Sequence, residues 1–265
     1  MASELHLIKK KYQTDKNEHY LSNYEDYFSH LKDDNISLLE IGIFKGGSLL
    51  MWRDYFNNGA IVGLDVNEVK IEDDSRRIST YKGFQQNTAL LSELANEAAP
   101  NGFDIIIDDG SHIGELTAIT FWHLFENHLK PGGIYVIEDW RTGFWGGWPD
   151  GKQYNLKNGN VLKRGKLSSL LDRKLTEYLD QNSSKEMLNR LKNSIVYRLR
   201  MLLMKKRIKS HDYGMVGFIK QLVDEMGTDA FTSEHRGSPV EKRGGRFEEV
   251  SVKRGQVFVV KNDLH

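Results

Sequence analysis

Apolar positions along the chain change period several times, and the changes outline a fold. In residues 17–32, Leu21, Tyr24, Tyr27, Phe28 and Leu31 recur at three- and four-residue steps, the stripe of an amphipathic helix. Ile36 to Ile41 then runs apolar almost without a break, as expected of a strand covered on both faces. Ser48 to Phe56 reads as a helix, Ala60 to Val66 as a second strand, and Arg77 to Tyr81 as a weaker third. A helix over Ala89 to Ala98 leads to a fourth strand, Phe103 to Ile107. Leu116 to Leu129 is helical, with Pro131, Gly132 and Gly133 as its stop, and Ile134 to Ile137 is a fifth strand. Near the end, Phe247 to Val252 and Gln256 to Lys261 flank Lys253-Arg254-Gly255, the pattern of an antiparallel hairpin.

Strands alternating with helices predict parallel βαβ units with right-handed crossovers. The expected fold is α/β, with a mostly parallel sheet closed by a C-terminal antiparallel hairpin. Residues 140–165, rich in Gly, Trp, Asn and Lys, read as a long ordered loop, followed by helices near 166–181, 184–209 and 214–226. This predicts an N-terminal helical segment over 1–35 and one domain over 36–265, with a loop and helical insertion at 141–211.

Open parallel sheets bind ligands beyond the carboxyl ends of their strands, and there the sequence concentrates acids. The first strand leads into Glu40-Ile41-Gly42-Ile43-Phe44-Lys45-Gly46-Gly47-Ser48. Glycines allow a tight turn and close approach of a ligand to backbone. The amides at the helix start, around Gly46 and Ser48, suit a carboxylate or a polar edge. Asp65 closes the second strand, where a carboxylate can accept both hydroxyls of a ribose. Three residues separate Gly42 from Gly46, so this is not the G-x-G-x-x-G fingerprint of pyrophosphate binding. The glycines alone would serve a bare strand-to-helix turn; Glu40 and Asp65 around them favour a nucleoside.

Asp108-Asp109-Gly110-Ser111-His112 ends the fourth strand and Glu138-Asp139 the fifth. Adjacent strands lie ~4.8 Å apart, so these groups can converge. Four such carboxylates repel one another unless a cation neutralises them, and magnesium suits a few carboxylates plus water and substrate. The expected metal ligands are Asp109, Glu138 and Asp139, with His112, near Asp109, as the base that takes a hydroxyl proton. The alternative is that these acids only cap the following helices.

The E-x-G-x-x-x-G pattern at Glu40, Gly42 and Gly46 resembles the first motif of class I S-adenosylmethionine-dependent methyltransferases. That resemblance implies a Rossmann-like fold with a seven-stranded sheet, Glu40 and Gly42 near the methionine portion, and Asp65 on the ribose. It places Gln85-Gln86-Asn87, and Gln86 in particular, near adenine, and Asp108 on the cofactor side. I-I-D-D-G-S-H together with V-I-E-D is similar to a narrower group, the metal-dependent sugar O-methyltransferases of macrolide antibiotic pathways and the cephalosporin hydroxylase-like proteins. Thr14-Asp15-Lys16, with His19, Tyr20 and Tyr24, looks like a segment common before the sheet in that group. The resemblance covers about 12–140 and 214–261. It implies S-adenosylmethionine, magnesium, a sugar hydroxyl acceptor on a natural product or cell-surface glycan, and a homo-oligomer.

The middle of the chain matches no such pattern. From Lys185 to Lys209, nine basic residues face one acidic, a local charge of +8 beside a helical apolar stripe. Such a helix commonly packs one face and solvates the other; it also suits an anionic acceptor or contact with an anionic membrane surface. Trp140, Phe144, Trp145 and Trp148 directly follow the expected metal ligands and suit either the faces of a sugar or a closed core.

Composition narrows the reading. Apolar residues make up 39% and charged residues 28%, and Lys plus Arg balances Asp plus Glu at 37 each, so no overall field favours nucleic acid. The absence of cysteine excludes disulfides and thiolate metal sites. The N-terminus lacks a secretory pattern and no apolar run approaches the ~20 residues of a membrane span, so a cytoplasmic protein is expected. Two other functions compete: metal-independent methylation of a small molecule, and a non-catalytic nucleoside-binding module recruited by its basic helix.

Overall fold

The computed structural model describes residues 4–152, 154, 211–227 and 245–263. They fall in two units, Met1–Lys152 with Asp212–His265, and Gln153–His211. In the second unit the rings of Tyr154 and His211 stack with centroids 5.0 Å apart. The helices expected near 166–181 and 184–209 lie outside the described residues, and with them the anionic-acceptor and membrane-surface readings of 185–209.

The first unit is built on a seven-stranded sheet: β1 (Ser37–Ile41), β2 (Ala60–Asp65), β3 (Ile78–Lys82), β4 (Phe103–Asp108), β5 (Leu129–Glu138), β6 (Phe247–Val252) and β7 (Gln256–Lys261). Their spatial order is β3-β2-β1-β4-β5-β7-β6. The first five run parallel, and β7 pairs antiparallel with both β5 and β6. The weak apolar pattern of β3 has a simple cause, since it is an edge strand and half exposed along its length.

Period-two alternation sends successive strand residues to opposite faces, and both faces are covered. Leu38, Ile105, Ile107, Ile134 and Val136 pack with α1 (Glu4–Lys9), α2 (Glu18–Phe28) and α3 (Gly47–Tyr55), where Tyr24, Phe28 and Trp52 form an aromatic cluster. Leu39, Ile41, Ile106, Tyr135 and Ile137 pack with α4 (Thr88–Ala98), α5 (Gly114–Asn127) and α6 (Gly214–Gly227) around Phe121. Among the described residues no helix is long and apolar enough to cross a membrane.

Two expectations shift. The helix assigned to Leu116–Leu129 ends at Asn127, and Pro131-Gly132-Gly133 lies inside β5 rather than after a helix. Leu129 pairs with Phe103 and Ile134 with Ile105, so the extra residues between them are taken up as an irregularity that leaves both flanks in register. The chain also opens with α1, whose Leu5 and Ile8 are buried, too short a stretch to show a period.

Candidate active site

The carboxyl ends of β1, β2, β4 and β5 open on a cavity of about 380 Å³. Its walls include Gly42, Ser48, Asp65, Asp109, His112, Glu138 and Asp139 from the sequence-predicted set, together with Lys16, Tyr20 and Phe44. Three wall residues other than glycine, Phe44, His112 and Asp139, hold left-handed backbone at φ 48°, 53° and 51°. Such conformations cost free energy and gather where side chains must be aimed at a site.

On the nucleoside side, Gly42 has φ +84° and a Cβ built there would lie 2.1 Å from the Asp109 carbonyl oxygen, so no side chain fits. That close approach joins the β1 and β4 loops. Asp65 Oδ2 accepts the amides of Ile43 and Phe44, each at 3.1 Å, and Oδ1 accepts that of Asn67 at 2.9 Å. The carboxylate thus shapes the glycine loop while standing in the cavity wall, where a vicinal diol could reach it.

On the acidic side, Asp109, His112 and Asp139 can place one ligand atom each within 4.8 Å of one another. His112 Nε2 lies 3.8 Å from Asp109 Oδ1, and its ring meets Trp148 edge-on at 5.3 Å. Tyr20 donates its hydroxyl to Asp139 Oδ1 at 2.5 Å, and that acid, with burial foremost, drives the phenol's pKa far above its usual value. Gly255 leaves room for this tyrosine: a Cβ there, at φ +93°, would lie 2.0 Å from the Tyr20 hydroxyl oxygen.

Glu138 is not in the three-residue cluster. It takes the hydroxyl of Tyr24 and an ion pair from Lys16 Nζ at 2.7 Å. The same ammonium lies 2.8 Å from Asp109 Oδ2 and 2.9 Å from Glu40 Oε1, with only 1% of its side chain exposed. Burial opposes its charge, but the three acids outweigh that and hold it protonated. Burial, then the neighbouring Asp109 charge, pushes Glu138 up, while Lys16 and Tyr24 pull it back. Neither Glu40 oxygen makes a hydrogen bond beyond that ion pair.

The remaining predicted residues lie elsewhere. Glu40 is fully buried beneath the wall and reaches the site through Lys16. Gly46 has φ +79° and faces Ile71, and Gln86 is half-buried; neither lines the cavity. Asp108 does not line it either. It alternates with Ile107, so it points to the other face of the sheet, where Tyr135 donates to it at 3.3 Å and Gln85 at 3.4 Å. Burial there raises its carboxyl to about 7. Gln85, not Gln86, supports the site, accepting the Ser111 amide at 2.6 Å. Trp140 donates its indole N–H to the Lys253 carbonyl, whereas Trp145 is half exposed. Lys16, Tyr20 and Tyr24 stood in a segment that resembles one common before the sheet, but the resemblance gave them no role; Tyr20 and Tyr24, four apart, share one side of α2, which Asn17 caps by accepting the Tyr20 amide, and Lys16 precedes that cap.

A parallel five-strand half, an antiparallel end and a strand-end cavity under a glycine loop define the class I S-adenosylmethionine-dependent methyltransferase fold. The chain's sequence relatives are sugar O-methyltransferases of macrolide and tetracenomycin pathways. It is 36% identical over 173 residues to demethylmacrocin O-methyltransferase of Streptomyces fradiae, covering 63% of this chain and 42% of that protein. It is 38% identical over 160 residues to mycinamicin VI 2''-O-methyltransferase of Micromonospora griseorubida, covering 58% and 39%. Among solved structures, MycE methyltransferase from the mycinamycin pathway, in complex with Mg and SAH, superposes with a TM-score of 0.65 at 25% identity, over 99% of this chain and 55% of that one. The chain therefore spans less than half the length of these curated relatives and about half that of the solved structure. No protein-family model matches it.

Proposed function

We propose that the chain is a magnesium-dependent O-methyltransferase that uses S-adenosylmethionine to methylate a sugar hydroxyl of a glycosylated natural product or a glycan. The observation that carries this is the meeting of Asp109, His112 and Asp139 in the same cavity as Asp65 and the Gly42 turn. The relatives named above act on sugars, and the MycE structure holds magnesium with S-adenosylhomocysteine.

The residues fit both groups. Two carboxylates are hard oxygen donors with room for water and substrate oxygens, and they leave the adjacent imidazole to act as a base. An acid at the end of β2, a glycine loop that a side chain would fill, and no pyrophosphate spacing suit a nucleoside sulfonium. When bound, the cation supplies Lewis acidity and the sulfonium an electrophilic methyl group.

Asp109 and Asp139 would hold the cation, the latter steadied by Tyr20, and Asp65 would take the ribose hydroxyls. The His112 imidazole would accept the acceptor hydroxyl's proton at Nε2, which lies 3.8 Å from Asp109 Oδ1. Trp148 against its ring and the left-handed turn at His112 fix the direction in which it faces. Aligning oxygen with methyl while excluding water then carries most of the acceleration.

The test is transfer of labelled methyl from S-adenosylmethionine to a panel of glycosides, with and without chelator. Transfer to a sugar hydroxyl that EDTA abolishes and Mg²⁺ restores is expected. Transfer unchanged in EDTA would instead establish the metal-free reading, which the neutralisation of Asp109 by Lys16 favours.

A further inference from the structure

Lys16 has no part in the mechanism above, yet it is an almost wholly enclosed cation at the site. Its ammonium has three protons and three carboxylate neighbours, Glu40, Asp109 and Glu138, at 2.9, 2.8 and 2.7 Å. Those acids come from the ends of β1, β4 and β5, three consecutive strands of the sheet. Asp109 is shared: Oδ2 faces the lysine, while Oδ1 faces His112 and the candidate metal cluster.

We propose that Lys16 is a built-in cation, a positioning residue that keeps the acidic strand ends assembled without a metal and weakens the hold on the divalent ion so that it exchanges. The idea rests on the metal reading of Asp109, His112 and Asp139 given above.

The physical argument concerns charge and geometry. Three carboxylates drawn into one buried point would separate or take up protons if nothing opposed them. The lysine opposes them from within the chain, at a fixed position and without dependence on ion concentration. It also fixes the Asp109 rotamer, because Oδ2 is bonded to it. A divalent ion on Asp109 then binds with a fixed positive charge nearby, and its affinity falls accordingly.

Magnesium titrations of the full chain, followed by melting temperature and calorimetry in one buffer for all variants, test the proposal. Lys16→Met should melt lower than wild type in EDTA, regain more of its melting temperature with Mg²⁺ than wild type gains, and bind Mg²⁺ at least about tenfold more tightly. A merely structural lysine would lower melting equally with and without the ion. Equal or weaker Mg²⁺ binding by Lys16→Met, with wild type binding normally, overturns the proposal. Wild type that does not respond to Mg²⁺ at all overturns the metal reading and this inference with it. If Lys16→Met does not fold, Lys16→Met with Glu40→Gln removes one charge of each sign. That variant should bind Mg²⁺ within about threefold of wild type, and a loss beyond about tenfold would show that the lysine's hydrogen bonds, not its charge, are what the site needs.

Discussion

Replacing Asp65 by asparagine separates its two roles, because the change keeps the shape and removes the charge. Oδ2 serves two loop amides at 3.1 Å, whereas Oδ1 serves the backbone amide of Asn67 at 2.9 Å. The amide nitrogen will take the Oδ1 position, where it displaces one exposed backbone amide instead of two, because the Asn67 side-chain amide, also on Oδ1 at 3.3 Å, can turn to accept. The stability cost is therefore about one ordinary hydrogen bond, ~1 kcal/mol, or a melting shift of roughly 2–4 °C for a chain of this size. A ribose diol loses more, since hydrogen bonds to a charged acceptor are worth roughly 1.5–3 kcal/mol, a factor of about 10 to 150 in affinity. Calorimetric titration with S-adenosylhomocysteine, beside a melting curve, measures both. Weakening of the nucleoside by about tenfold or more, with a melting shift of no more than about 4 °C, is expected. Affinity within about threefold of wild type would refute the reasoning and leave Asp65 as a loop brace only.

Gly42→Ala should damage the fold, because a Cβ would lie 2.1 Å from the Asp109 carbonyl oxygen at φ +84°. Left-handed alanine costs roughly 1–2 kcal/mol and overpacking roughly 1–3 more, which predicts a fall of about 5–15 °C in melting temperature; a change under about 2 °C would show that the turn relaxes freely. Asp73 supplies a pH-dependent case. Burial raises its carboxyl, but the Ser75 hydroxyl, the Arg53 guanidinium and the backbone amides of Ser75 and Ile78 outweigh that and bring it down to about 2. A depressed carboxylate stabilises the fold above its unfolded pKa, and that stability is lost as pH falls through the folded value. Asp73→Asn should therefore cost roughly 2 kcal/mol in urea unfolding near neutral pH, with the gap to wild type closing between about pH 4 and 2. A gap that stays constant over that range would mean the charge does not carry the effect.

Much of the scaffold was legible because its signals are local. Continuous apolar runs such as Ile105-Ile106-Ile107 mark strands covered on both faces, and they sit in the middle of the sheet. Glycine at 42 and acids at 65, 109 and 139 stood at strand ends in sequence and line one cavity in the structure. Strand parity was also available: Asp108 follows Ile107 and precedes Asp109, so the two acids cannot both face the same side, and it is Asp109 that reaches the site. The edge strand β3 was faint for the reason it is an edge, since half of its surface meets water and needs no apolar residue.

Apart from α1 and the start of β5, the sequence by itself determined the elements of the sheet unit, the parallel run with its antiparallel close, and the set of acids at the strand tips, because period, glycine and strand ends are properties of neighbouring residues. Only the tertiary structure decided how those acids are shared out. It brings Lys16 across 93 residues to Asp109 and sets Tyr20 on Asp139 across 119, and it leaves Glu138 with the lysine and Asp139 beside Asp109 and His112. Adjacent in sequence, those two acids are parted by the left-handed turn at Asp139. Charge balance in a buried site depends on which side chains arrive from other elements, and no local pattern records that.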